Sequence, residues 1–108
     1  MAFQSVTFYV ANKTTSALFG VWIEAADNVV TKTGKIGGVA TTCRIYIRDG
    51  HNSRQHDYFG LAVCCPPDQY DFLRGARLAL TRALDSMGAP RDYRVRFFAG
   101  LHARLAAK

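Results

Sequence analysis

Tyr70, Arg74, Arg77 and Thr81 stand at i, i+4, i+7 and i+11, the spacing that stacks side chains along one side of a helix. Two guanidinium forks about a turn apart can hold a phosphate or pyrophosphate, an aromatic ring can stack on a base, and a hydroxyl can meet a ribose or phosphate oxygen. The same stripe also reads as a solvated helix border, with arginine stems lying over the core and their heads in water. Leu78 falls opposite the apolar stripe of that helix, among Asp71, Arg74 and Asp85, where a monomer has no evident use for it.

A second group is Arg44-x-Tyr46-x-Arg48, and a third is Arg94-x-Arg96-x-Phe98. On strands, the alternation sets basic and aromatic groups on one sheet face, as in proteins that bind single-stranded nucleic acid. Charges that keep an edge strand soluble give the same pattern. Neither triplet lies in an RNP-type consensus.

Other combinations lead away from catalysis. In Lys32-Thr33-Gly34-Lys35-Ile36-Gly37-Gly38 the glycine spacing is wrong for a phosphate loop, and Ile36 stands where Ser or Thr would ligate magnesium. Cys43, Cys64 and Cys65 make an odd count with an adjacent pair, which argues against a disulfide framework. With His51, His56 and His102 they show no C-x-x-C or paired-histidine helix spacing, so no zinc is expected and the thiols read as small apolar side chains. His56-Asp57 near Cys64 suggests a base beside a nucleophile, yet nothing fixes an oxyanion hole and a buried, unactivated thiol is inert. No catalytic residue, cofactor or metal is expected.

Fourteen Lys and Arg against eight Asp and Glu give the 108-residue chain a formal charge of +6, and ten of the cations are arginine. This balance favours anionic partners, and guanidinium favours bidentate phosphate or carboxylate recognition. With 49% hydrophobic residues the chain is globular, and no apolar run approaches the ~20 residues of a membrane span. The first residues, Met1-Ala2-Phe3-Gln4-Ser5, have no basic and apolar leader pattern, so a cytoplasmic protein is expected.

The elements that must position these residues read as one α+β domain over 1–108. Period-two alternation predicts strands at 5–11, 17–25, 39–48 and 58–65, and a fifth at 93–98. Polar, glycine-rich stretches join them, with Val29-Val30 as a short extended pair and Asp49-Gly50 as a turn. At Pro66 the period changes to 3.6. A helix over 69–87 follows, capped by Asp68, with Phe72, Leu73, Ala76, Ala79, Leu80, Ala83, Leu84 and Met87 toward the core and Gly88 and Pro90 ending it. A short tail, helical or extended, closes the chain. The expected fold is an antiparallel sheet of four or five strands against one long helix. Leu18 and Trp22 lie on the strand face opposite Phe19, Val21 and Ile23, so both faces of that strand need a cover; with Leu78 they predict a homo-oligomer.

The residues Gly60-x-Ala62-x-Cys64-x-Pro66-x-Asp68-x-Tyr70, then Gly75, and Ala79-Leu80-x-Arg82-Ala83-Leu84 resemble a pattern of small phage proteins. It is similar to that of the phage anti-defence sponges that inhibit Thoeris immunity by sequestering a cyclic ADP-ribose signal. The resemblance implies an oligomer built on a sheet and a helix, acting in the host bacterial cytoplasm, that holds a nucleotide-type signal without cleaving it. It adds Arg82 to the candidate ligands Tyr70, Arg74, Arg77, Thr81, Arg44 and Arg48. The alternative is a small basic phage protein that binds nucleic acid or a host defence protein.

Overall fold

The computed structural model describes residues 2–12, 18–27, 38–48, 57–64 and 70–107. Val29-Val30, Asp49-Gly50, His51, His56, Cys65, Asp68 and all but Gly38 of the glycine-rich 32–38 segment lie outside them. Four strands, β1 (Ala2–Ala11), β2 (Leu18–Asp27), β3 (Val39–Arg48) and β4 (Tyr58–Cys64), pair antiparallel in chain order. Two helices follow, α1 (Phe72–Met87) and α2 (Arg91–Ala106). The fold is α+β, with both helices on one face of the sheet.

Alternation decides which face is covered. Val6, Phe8 and Val10 of β1, Phe19, Val21, Ile23 and Ala25 of β2, and Cys43 and Ile45 of β3 are buried beneath the helices. From α1 the buried set is Phe72, Ala76, Ala79, Leu80, Ala83 and Leu84, the stripe the helical period predicts, whereas Leu73 is exposed. Gly60 and Ala62 of β4 face this stripe. A methyl group on Gly60 would fall 2.0 Å from the Ala79 carbonyl oxygen and 2.4 Å from the Ala83 nitrogen, so the helix backbone rests directly on the strand. Only glycine fits.

Helix α1 begins later than expected. Asp71 is extended (φ −127°, ψ 115°) and its carboxylate accepts from the Leu73 N–H at 3.0 Å, so Asp71 is the cap and Tyr70 precedes the helix. At the other end Gly88 is left-handed (φ 70°), with its N–H on the Asp85 carbonyl and that of Ala89 on the Leu84 carbonyl, a Schellman close.

The predicted fifth strand is a helix. Residues 93–98 lie inside α2, because the apolar positions that matter are Tyr93, Phe97, Leu101 and Leu105 at i, i+4, i+8 and i+12, and they pack on β1 and β2. Phe97 and Leu101 are fully buried, and Phe97 and Tyr93 both meet the Phe19 ring at centroid distances of 5.6 and 5.8 Å. Val95, read as part of the alternation, is exposed. Gly100 lets α2 lie on the Phe8 ring, which a Cβ there would meet at 2.8 Å.

Two glycines should therefore respond differently to alanine. Gly60→Ala places a methyl inside backbone and is expected to cost about 3 kcal/mol. At Gly88 a Cβ meets nothing within 4 Å, so Gly88→Ala should cost only the left-handed backbone penalty of about 1 kcal/mol. Urea unfolding of both variants checks the order; equal losses would contradict the seating of α1 on β4.

Candidate functional site

A cleft of about 940 Å³ opens where the first turns of α1 pass the ends of β3 and β4. Tyr70, Asp71, Arg74, Gly75 and Leu78 line it from the helix side, and Thr41, Ala62, Val63 and Cys64 from the strands. Tyr70, released from the helix, turns inward and shares a 2.8 Å hydrogen bond with the buried Thr41 hydroxyl. Burial pushes the Tyr70 hydroxyl above its ordinary pKa; the Thr41 bond opposes this, and Cys64 and Asp71 nearby add to it. Gly75 makes the arrangement possible, since a Cβ there would lie 2.7 Å from the Thr41 hydroxyl and 3.3 Å from the tyrosine ring. Tyr70 is thus a fixed wall.

Arg74 stands on the exposed side of this cleft and makes no hydrogen bond or ion pair with another described residue. Leu78, a turn later, supplies an apolar wall. Arg77 and Thr81 do not line the cleft. The Thr81 hydroxyl donates to the Arg77 carbonyl at 2.8 Å, a bond within the helix. The four-residue stripe read from the sequence therefore divides. Tyr70 and Arg74 meet; Arg77 and Thr81 do not join them.

Of the other arginines whose side chains are described, all but Arg77 and Arg91 have protein partners. Arg82 donates to the Leu61 carbonyl of the end strand β4, at 2.5 Å. On the opposite end strand, Arg96 donates to the Ala11 carbonyl and Arg104 to the Thr7 carbonyl, each at 3.3 Å. Arg94 clamps the corner between the helices, with an ion pair to Asp85 at 2.7 Å and a hydrogen bond to the Ala89 carbonyl. The triplet Arg94-x-Arg96-x-Phe98 accordingly shares no sheet face, because it is helical.

The Arg44 triplet does lie on a strand, on the side of the sheet away from the helices. Arg44 pairs with Asp57 at 2.8 Å and sets its guanidinium 5.1 Å from the centre of the Tyr46 ring. Tyr46 lies across Gly20, where a Cβ would come within 2.3 Å of the ring. Register places Thr7, Trp22, Arg44 and Phe59 in one row across all four strands, and Leu18 opposite Arg48. Trp22, Phe59, Leu61 and Val63 on this side remain 40%, 55%, 51% and 52% exposed, so no described element covers it. The predicted oligomer contacts are split between layers: Leu18 and Trp22 belong to this bare face, Leu78 to the cleft.

Sequence reading passed over Phe59, Leu61 and Val63, although β4 carries apolar or small residues at every position, the sign of a strand with two apolar faces. It also passed over Thr41 and Val63 as cleft residues, since they reach the site only through pairing of β3 with β4. Among the described residues no group of three potential ligands gathers to hold a metal. No described helix is long and apolar enough to cross a membrane. The chain matches no known protein family, no curated protein and no solved structure.

Cys43 is fully buried under the helices, and burial pushes its thiol up to about 12 from 9.0. Above pH 9 the unfolded thiol loses its proton while the folded one keeps it, so this group stabilises the fold below pH 9 and destabilises it progressively toward pH 12. Wild type should lose about 1.4 kcal/mol per pH unit more than Cys43→Ala in that window. Parallel urea titrations measure the difference, and identical slopes would refute a buried, protonated Cys43.

Proposed function

We propose that the protein binds a phosphate-bearing, nucleotide-type small molecule in the cleft beside α1 and holds it without turnover. The observation that carries this reading is the conjunction of a nucleotide-sized cleft with Arg74, a guanidinium that has no partner among the described residues, beside the fixed ring of Tyr70. The described lining offers binding groups: one cation, the aromatics Tyr70 and Phe72, a capping carboxylate and the aliphatic wall Leu78. Arg74 takes a phosphate oxygen, and the apolar walls take the base or the sugar edge. The resemblance of residues 60–84 to the Thoeris anti-defence sponges gives the ligand class, a cyclic ADP-ribose-like immune signal, and the biological role, sequestration by a phage protein.

Binding along a nucleic acid is the less favoured reading. Arg82, Arg96 and Arg104 lie at opposite ends of the sheet on strand carbonyls, so these three described cations are dispersed rather than aligned as a track.

Calorimetry and thermal melting with a panel of cyclic and linear nucleotides test the proposal. A bound nucleotide should raise the melting temperature, return intact after heat denaturation, and show a shallow salt dependence. Arg74→Ala should weaken it roughly ten to a hundredfold, the loss of one charge-assisted contact of about 1.5–3 kcal/mol, without changing the fold. Arg77→Ala, outside the cleft, should weaken it less than about threefold. Unchanged affinity in Arg74→Ala sinks the site, and recovery of a cleaved nucleotide sinks the claim of sequestration.

A further inference from the structure

We infer that the bare face of the sheet is the contact between two copies of this chain, packed sheet on sheet. This goes beyond the cleft reading and does not depend on it, because the helices and the bare face lie on opposite sides of the sheet.

The chemistry of the face selects the kind of partner. Trp22 of β2 and Phe59 and Leu61 of β4, on either side of Arg44 and Thr42, are each about half exposed on one sheet face, more than the scattered single residues a monomer ordinarily shows. Its described charges nearly cancel. Arg44 is paired with Asp57, and Glu24 stands one rung from Trp22 on the same side, in register with Thr42. A polyanion needs unpaired cations in a row. This face instead offers exposed apolar side chains on either side of Arg44 and Thr42, one ion pair already closed within the chain and one further carboxylate, Glu24, so little unpaired charge has to leave water when the same surface is used twice.

Size points the same way. Strands of seven to ten residues, at ~3.3 Å per residue and ~4.8 Å between strands, give a face of roughly 450–600 Å² in projection. Two such faces in contact remove on the order of 1,000–1,500 Å² from water once side-chain relief is included, the range of a specific pair. Tyr46 keeps the surface level by lying across Gly20, so a second sheet can approach to the ~10 Å spacing of a β-sandwich. A two-fold axis in the plane between the sheets then buries Trp22 near the centre, where aromatic anchors contribute most.

Light scattering and sedimentation of the full chain, without ligand, decide the matter. The native protein should show twice the chain mass of 11.9 kDa. Trp22→Asp should raise the dimer dissociation constant roughly thirtyfold or more, the scale of losing an interface anchor, with circular dichroism unchanged because the side chain lies outside the core. Leu61→Asp, on an end strand, is an independent variant should Trp22→Asp fail to fold, and should act in the same direction. A single-chain mass at high micromolar concentration overturns the inference, as does a dimer undiminished in a folded variant. A native single chain that binds a single-stranded oligonucleotide, and loses it in Trp22→Asp, assigns the face to nucleic acid and overturns it equally.

Discussion

Everything in this fold depends on how closely α1 can approach β4. A helix normally stands off a sheet by the depth of two side-chain layers, but Gly60 removes one layer and Ala79 and Ala83 thin the other, leaving backbone against backbone. With α1 drawn down over the end strand, Leu80 and Leu84 reach the sheet core, and the first turn of the helix comes within hydrogen-bonding range of β3. Thr41 and Tyr70 can then join. Gly75 repeats the device one element further along, and Gly100 repeats it for α2 over Phe8. The cleft is thus the space left where this close packing ends.

Much of the architecture was legible because both periods are clean where a single face is buried. β1 and β3 alternate without fault, and the α1 stripe is unambiguous from Phe72 to Leu84. Legibility failed at α2, where Tyr93, Val95 and Phe97 satisfy a two-residue period locally and the helical one shows only when Leu101 and Leu105 are added. It failed again at Tyr70. Asp71 and Asp68 are equally plausible caps by type, and the helix starts where the Asp71 carboxylate accepts the Leu73 amide, a local contact that residue type alone does not select. The cleft was half legible: Tyr70 and Arg74 are neighbours in sequence, whereas Thr41 and Val63 arrive by strand pairing.

Arginine content is a poor guide to function in this protein, for a reason the hydrogen bonds make plain. A guanidinium that reads as a phosphate ligand is equally suited to a row of unpaired strand carbonyls or to a helix corner. Arg82, Arg96 and Arg104 do the first, and Arg94 does the second. Arg44 is held by Asp57. Among the described residues the arginine count therefore overstates the guanidinium groups open to a ligand, and of those that remain Arg74 is the one that lines the cleft.

Those strand-end arginines carry one more implication. A four-stranded open sheet has two directions of growth, through its edges and through its face. Edge growth by an incoming strand is indefinite, since each addition exposes a new edge, and it is the geometry of fibrils. Here guanidinium groups sit on the Leu61 carbonyl of one edge and on the Thr7 and Ala11 carbonyls of the other, where an incoming strand would need to donate its own amides. Face contact has no such continuation: once two sheets meet, the helices turn outward on both sides. A pair closed through this face leaves no second bare face to extend it, so contact of that kind is monovalent and ends at two copies.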